Sequence, residues 1–434
     1  MAEFTHGFKI DEDKCRGCLS CMRACPTHAI RVKGGKARYK PDHCIDCGVC
    51  LTTCPAGNIS AMTWSVEDLS RFKVKVAVPC PVLFGQFPAG ITPEMVVEGL
   101  LALGFDAVWD FSVDIGLVAR AMHEYVKRWK GPTPLISISC PVVVRLVQVS
   151  YPRMVDQLIP VQLPREIAGR EVKRKFSARL GVSEDDVAAI YITPCQAKAI
   201  SILEPAEGAV SHLNGTLGIN DVYNAILSHA SMRRGEAGKT RRRSIIRNST
   251  FLHWHMSEGL GHVLSGQRYL LVTGLANIIQ VFDDIEKGKL RKVDFLDAYN
   301  CWSGCTAGNL TVANVYVTQS KMHALSRKLP EMDRATEAEI ERRYPNEDFS
   351  LERPIRPRPI RGRIGSLKER VQMVQQAEET LARLPGLNCG LCGAPRCKEL
   401  ARDVSIGDAT VEDCIFVSKD RLQDLQRAYL PRPQ

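Results

Sequence analysis

Between residues 73 and 345, short apolar runs alternate with stretches of helical periodicity. Val74–Val78, Ala107–Phe111, Leu135–Ser139, Ala188–Thr193, Tyr269–Thr273 and Val293–Tyr299 read as strands. Pro93–Leu103, Asp114–Trp129 and Asn277–Lys287 read as helices between them. Such alternation predicts parallel sheet covered by helices, an α/β domain. The longest apolar stretches, Leu135–Val149 and Tyr269–Phe282, are too short and too often interrupted by polar residues to span a membrane. They read as buried strands and a helix. Several strand ends carry cysteine, at Cys80, Cys140, Cys195 and Cys301. The carboxyl ends of parallel strands are where α/β folds place their sites.

The rest of the chain follows other rules. Residues 1–72 hold eight cysteines at short spacings and form one module. A basic loop at Met232–Arg247, with Arg233, Arg234, Lys239, Arg241, Arg242 and Arg243, reads as a solvated insertion or a docking patch for an acidic redox partner. Pro345–Gly365 contains the run PIRPRPIRGRIG, which reads as an extended linker. An amphipathic helix over Leu367–Leu384 then leads into a last cysteine-bearing module. The expected division is 1–72, 73–345, a linker and helix over 346–376, and 377–434.

Cysteine is the decisive residue type. The chain has 17, and 16 of them fall at iron–sulfur spacings. Cys15-x2-Cys18-x2-Cys21-x3-Cys25-Pro26 recurs as Cys44-x2-Cys47-x2-Cys50-x3-Cys54-Pro55. This is the run of bacterial two-cluster ferredoxins, whose fourth cysteine crosses to the other cluster. One cluster is therefore expected on Cys15, Cys18, Cys21 and Cys54, and its twin on Cys44, Cys47, Cys50 and Cys25. Zinc is the rival reading of paired CxxC elements, and the doubled pattern with its prolines weighs against it. Near the C-terminus, Cys389-x2-Cys392-x4-Cys397-x16-Cys414 supplies four more ligands, with Gly386, Gly390 and Gly393 giving backbone freedom. Zinc is a fairer competitor there.

The formal charge of +10 looks basic. Four thiolates around an oxidised cubane leave about −2 per site, because ligation removes the thiol protons. Four sites would bring the total to roughly +2. The basic excess is thus a counterweight to clusters, and no aromatic–basic interleaving points to nucleic acid. No signal peptide precedes Cys15, and so many reduced thiols are expected in a cytoplasm.

Three central segments carry a family resemblance. They are Ser137-Ile138-Ser139-Cys140-Pro141, Thr193-Pro194-Cys195-Gln196-Ala197-Lys198 and Cys301-Trp302-Ser303-Gly304-Cys305-Thr306-Ala307-Gly308. Together they resemble the three signature motifs of iron-only (di-iron) hydrogenases. The resemblance implies two lobes of parallel sheet flanked by helices, behind an N-terminal α+β ferredoxin domain. It implies an H-cluster: a 4Fe–4S cubane on Cys140, Cys195, Cys301 and Cys305, with Cys305 bridging to a di-iron unit carrying CO, cyanide and a dithiolate. Lys198 matches the lysine that hydrogen-bonds a cyanide. With the ferredoxin and C-terminal sites, four 4Fe–4S clusters are expected. The terminal LPGLNCGLCGAPRC…DC resembles a small 4Fe–4S domain of the sensory branch. The implied chemistry interconverts H2 with protons and electrons, and a ferredoxin or another redox subunit would be the partner. Members of that branch often continue into signalling domains. The chain ends at Gln434 without one, so a signalling output is expected to act through a separate protein.

Departures from the family pattern bear on activity. Ser139 stands where active members have a proton-relaying cysteine, and a hydroxyl is far less acidic. Thr193 and Tyr299 stand at methionine positions. Ser303 and Ala307 replace glycines, where side chains narrow a pocket. Trp302 reads either as packing over the site or as an ordinary packed tryptophan. Cys80, in Val78-Pro79-Cys80-Pro81, is the odd thiol: a buried bystander, or a group lining the pocket and supplying the thiol that Ser139 lacks. His253 and His255 read as lying on one face of an extended segment without a metal role. Two function classes follow. One is a low-turnover hydrogenase used as a sensor. The other is a non-catalytic relay subunit that keeps the cubane and lacks the di-iron unit. A cluster-assembly factor is a third reading, which the ferredoxin module and the terminal cysteines oppose.

Overall fold

All six apolar runs contain strands, and the computed structural model describes residues 5–232, 245–256, 261, 266–360 and 365–419. The basic residues expected to form a patch, Arg233 to Arg243, lie outside the described residues. Packing divides the chain into two units, Met62–Arg356 and Met1–Ala61 with Pro357–Gln434.

In the second of these units, β1 (Phe8–Ile10) pairs antiparallel with β4 (Ile59–Ala61), and β2 (Ile30–Lys33) with β3 (Lys36–Tyr39). Two one-turn helices, Ser20–Ala24 and Val49–Thr53, sit inside the two cysteine runs. This is the α+β ferredoxin module. The C-terminal part adds the helices Leu367–Ala382 and Cys397–Ser405. Ser366 starts the first of these with a capping box, its hydroxyl accepting from Glu369 N at 3.3 Å. That helix runs on through residue 376, the boundary suggested by the motifs.

The larger unit holds two parallel sheets. β5 (Val74–Pro79), β6 (Ala107–Val108), β8 (Val187–Thr193) and β9 (Gly215–Gly218) form one, in the order β6-β5-β8-β9. β7 (Leu135–Ile136), β10 (Tyr269–Thr273) and β11 (Phe295–Tyr299) form the other, in the order β10-β11-β7. β12 (Trp302–Cys305) follows β11. Every residue of β8 is buried, as expected for a central strand covered on both faces. Helices such as Pro93–Ala102, Ser112–Arg128 and Pro164–Leu180 supply the cover.

Two expectations need correction. The strand over Ala107–Phe111 stops at Val108, because Asp110 Oδ1 accepts from Ser112 N at 3.0 Å and turns the chain into the next helix. His253 and His255 do not share an extended face. Asn248 Oδ1 accepts from Phe251 N at 2.9 Å and starts a short helix, Ser249–His253, so His255 lies beyond its end.

Candidate metal centre

Four strand ends converge in the larger unit. Cys80 follows β5, Cys195 follows β8, Cys140 follows β7 and Cys301 follows β11. Cys140 and Cys195 are also the N-cap residues of the helices Pro141–Ser150 and Gln196–Leu203. The positive end of a helix favours thiolate or cluster charge there. Cys305 closes β12, and its N–H donates to His255 O at 3.0 Å. Gly308 is needed behind it: a Cβ there would stand 2.3 Å from Pro194 O, the backbone just before Cys195. Burial pushes the thiols of Cys140, Cys195 and Cys301 up, Cys195 to about 12, and the neighbouring sulfurs push the same way. Thiols so placed ionise readily only against a cation, and iron supplies one. The donor set therefore fits a cubane.

Around this set lie further buried polar groups. Lys198 is 1% exposed, and its Nζ donates to Cys305 Sγ at 3.1 Å. Burial opposes its charge, but the sulfurs of Cys305, Cys80 and Cys195 outweigh burial and hold its pKa above the ordinary value. Its side chain is thus enclosed in the protein with a cysteine sulfur as hydrogen-bond partner. Cys80 is fully buried beside it. Burial pushes the Cys80 thiol up to about 11 while Lys198 pulls the other way. Ser139 is buried too, and Ser137 Oγ donates to its Oγ at 3.0 Å. His255 was not legible as a neighbour of this site. It is buried, burial and Lys198 hold its ring neutral, and its Nδ1 finds no hydrogen-bond partner among the described residues.

The substituted positions in and beside the second and third motifs have definite places. Ser303 is buried, with its Oγ accepting from Gln319 Nε2 at 2.5 Å. Thr193 Oγ1 donates to Cys195 O at 2.9 Å. Tyr299 is buried beside Asp297. Trp302 is neither a lid nor a core residue: it is 52% exposed and leans on Tyr316.

The other cysteines fall into three groups. Cys15, Cys18, Cys21 and Cys54 line one cavity of about 400 Å³, with Leu19, Val32 and Ile59. Cys25, Cys44, Cys47 and Cys50 line a second. Main-chain amides point at sulfur, Ala29 N to Cys25 at 3.2 Å and Ala37 N to Cys15 at 3.4 Å, as they do around iron–sulfur clusters. Gly17 has φ +64°, and a Cβ there would meet Gly35 O at 2.7 Å. A buried pair, His6 and Asp46 at 2.9 Å, sits beside Cys44, and the spacing rules gave no hint of it. In the C-terminal module, burial raises the Cys392 thiol, with Cys414 and Cys389 next to it. Cys397 opens its helix, and its N–H donates to Asn388 Oδ1 at 3.0 Å.

Comparison with known proteins agrees with these parts. Residues 73–226 match the iron only hydrogenase large subunit, C-terminal domain; residues 8–55 match the 4Fe-4S dicluster domain; residues 384–416 match an Fe-S cluster domain. The first match takes in Cys140, Cys195 and Lys198 and stops short of Cys301 and Cys305. The periplasmic Fe hydrogenase large subunit of Nitratidesulfovibrio vulgaris is 30% identical over 46% of this chain and 52% of its own. The NADP-reducing hydrogenase subunit HndD of Solidesulfovibrio fructosivorans is 24% identical over 45% of this chain and 39% of its own. The chain thus spans about half or less of these relatives' length. A ferredoxin of Methanothermococcus thermolithotrophicus is 41% identical over 12% of this chain and 90% of its own. The chain is an iron-only hydrogenase-like iron–sulfur protein, with a ferredoxin module before the hydrogenase-type domain and a further iron–sulfur module after it.

Proposed function

We propose that this protein interconverts H2 with protons and electrons at an H-cluster, turns over slowly, and serves as a sensor of H2 or of redox state. Cys140, Cys195, Cys301 and Cys305 would hold the cubane, and Cys305 would share its sulfur with a di-iron unit. When bound, that unit supplies the open iron and the basic amine at which H2 is split or formed. The observation that carries this reading is the Lys198 ammonium, fully enclosed and 3.1 Å from Cys305 Sγ. A buried cation is costly unless anionic groups compensate it, and the cyanide and thiolate ligands of such a unit would do so.

The other residues have roles that follow from their chemistry. Ser139 shares a hydrogen bond with Ser137, 3.0 Å between their hydroxyl oxygens, and has one hydroxyl proton to give. A hydroxyl gives up that proton far less readily than a thiol, so delivery through Ser139 is slow. Cys80, with its thiol pushed up to about 11, stays protonated at neutral pH and can donate S–H into the same pocket. Electrons would enter through the two ferredoxin sites from a ferredoxin or a companion redox subunit in the cytoplasm. The signal would leave through a separate partner.

A second reading is favoured by Ser303, Ala307 and Tyr299, which stand where the family pattern has glycine or methionine, with Ser303 and Tyr299 buried. In that reading the protein keeps the cubane, lacks the di-iron unit and relays electrons in a larger complex. Infrared spectroscopy of protein produced with the di-iron maturation machinery separates the two. Iron-bound CO and cyanide bands support the first reading, and their absence refutes it. In loaded protein, Cys80→Ser should then lower H2 turnover and shift those bands; an unchanged rate and spectrum removes Cys80 from the mechanism.

A further inference from the structure

We propose that the C-terminal four-cysteine site is a branch that exchanges single electrons directly with the first ferredoxin site, the one lined by Cys15, Cys18, Cys21 and Cys54. The proposal rests on the reading that both sites hold 4Fe–4S clusters.

The loop bearing Cys389 and Cys392 is seated on the wall of that ferredoxin cavity. Gly390 has φ +77°, and a Cβ there would lie 3.0 Å from Met22 Cε and 3.9 Å from Leu19 Cδ1. The carbonyl of Gly393 accepts from Val32 N at 2.9 Å, and a Cβ on Gly393 would stand 1.9 Å from Val32 O. Leu19 and Val32 line the first ferredoxin cavity, and Met22 follows its ligand Cys21. One layer of side chains therefore separates the residue next to Cys392 from that cavity. Arg23, two residues after Cys21, donates from its guanidinium to the Cys389 carbonyl at 3.0 Å. The second ferredoxin cavity has none of Leu19, Met22 or Val32 in its wall.

A buried charge cluster locks this contact. Arg31 grips Asp403 with two bonds, of 2.5 and 3.0 Å. Lys40 reaches Asp403 at 2.5 Å and Asp408 at 3.0 Å. Lys33 Nζ donates to Asp408 O at 2.6 Å. Arg31, Lys33 and Lys40 come from the ferredoxin module, and Asp403 and Asp408 from the C-terminal module. Asp403 is 3% exposed. Bidentate, desolvated pairing of this kind fixes orientation as well as distance. The two modules thus form one redox body. In the transfer step a reduced cluster in one site gives one electron to an oxidised cluster in the other. No bond or proton moves, and the electron comes from the redox partner of the ferredoxin module.

The test is electron paramagnetic resonance on the anaerobically reduced full-length holoprotein. Spin–spin splitting is expected between the C-terminal cluster and the first ferredoxin cluster. It should vanish in Cys18→Ala/Cys21→Ala and persist in Cys47→Ala/Cys50→Ala. Splitting that survives the first change, or that depends on the second, overturns the proposal, as does zinc in place of iron at the C-terminal cysteines. Ligand removal can unfold a module, so Asp403→Asn/Asp408→Asn provides a variant that keeps every cysteine. It should retain the iron content and lose at least half of the splitting; full splitting refutes the direct contact. Infrared bands recorded on the same samples report the hydrogenase reading separately, so either reading can fail without the other.

Discussion

Asp403→Asn gives the most direct measure of how firmly the C-terminal module is docked. Asp403 and its partner Arg31 have side chains only 4% and 8% exposed. Removing one member of a buried pair leaves an uncompensated charge and costs about 3–5 kcal/mol. Two features place this pair at or below the lower end. Arg31 also donates to His28 O at 2.6 Å and Ile30 O at 3.1 Å, and Lys40 keeps Asp408. A loss of about 2–3 kcal/mol is the reasoned value, which at 1.4 kcal/mol per tenfold is roughly 30- to 150-fold in the docking equilibrium. Hydrogen exchange at the Val32 amide reads this equilibrium, because that N–H is bonded to Gly393 O across the contact. Its exchange should accelerate by the same factor, while amides in β8 of the other unit stay unchanged. Acceleration below about fivefold, equivalent to roughly 1 kcal/mol, would mean the pair behaves as an exposed one, and the reasoning fails. The pH dependence has a definite sign. Burial alone would raise the Asp403 carboxyl, but Arg31 and Lys40 hold its pKa below the ordinary value. Its stabilisation is therefore complete above the unfolded pKa near 3.9 and is lost as pH falls through the lower folded value.

Three other outcomes follow from the central site. Gly308→Ala forces a Cβ to within 2.3 Å of Pro194 O, so thermal unfolding should show a loss of about 1–3 kcal/mol and the iron content of the central site should fall; unchanged values would refute the close approach. Asp297 is fully buried, and burial pushes its carboxyl up to about 7 against hydrogen bonds that include Ser137 and Tyr269. The folded state holds that proton longer than the unfolded chain does, so stability should decline between about pH 4 and 7, and Asp297→Asn should flatten the decline in denaturant titrations; parallel curves for the two proteins would contradict the shift. Lys198→Met removes the ammonium at Cys305, and in protein loaded with the di-iron unit the cyanide bands should move more than the CO bands; identical spectra would separate Lys198 from the unit.

Much of this was legible because ligand spacing and strand hydrophobicity are local. The x2 spacings curl one chain segment round one cluster, and Tyr269–Thr273 is a strand at its expected residues because the run joins apolar Leu270, Leu271 and Val272 to flanking residues of high strand propensity, Tyr269 and Thr273. What was not legible depended on side chains competing with the pattern or on partners distant in sequence. The Asp110 carboxylate cut short an apolar run by bonding the backbone two residues on. Arg31 and Asp403 are 372 residues apart, and nothing in either local sequence distinguishes them from solvated surface charges. His255 enters the site through a main-chain bond to Cys305, which side-chain identity cannot announce. Cys80 marks the boundary between the two cases. Its sequence context favoured a buried bystander over a pocket thiol, and a thiol packed against apolar groups alone would have fitted the first. A buried lysine beside it changes the electrostatics: Lys198 pulls the Cys80 thiol down against the burial that raises it, an influence that an apolar core alone would not exert, while its own hydrogen bond goes to Cys305 Sγ.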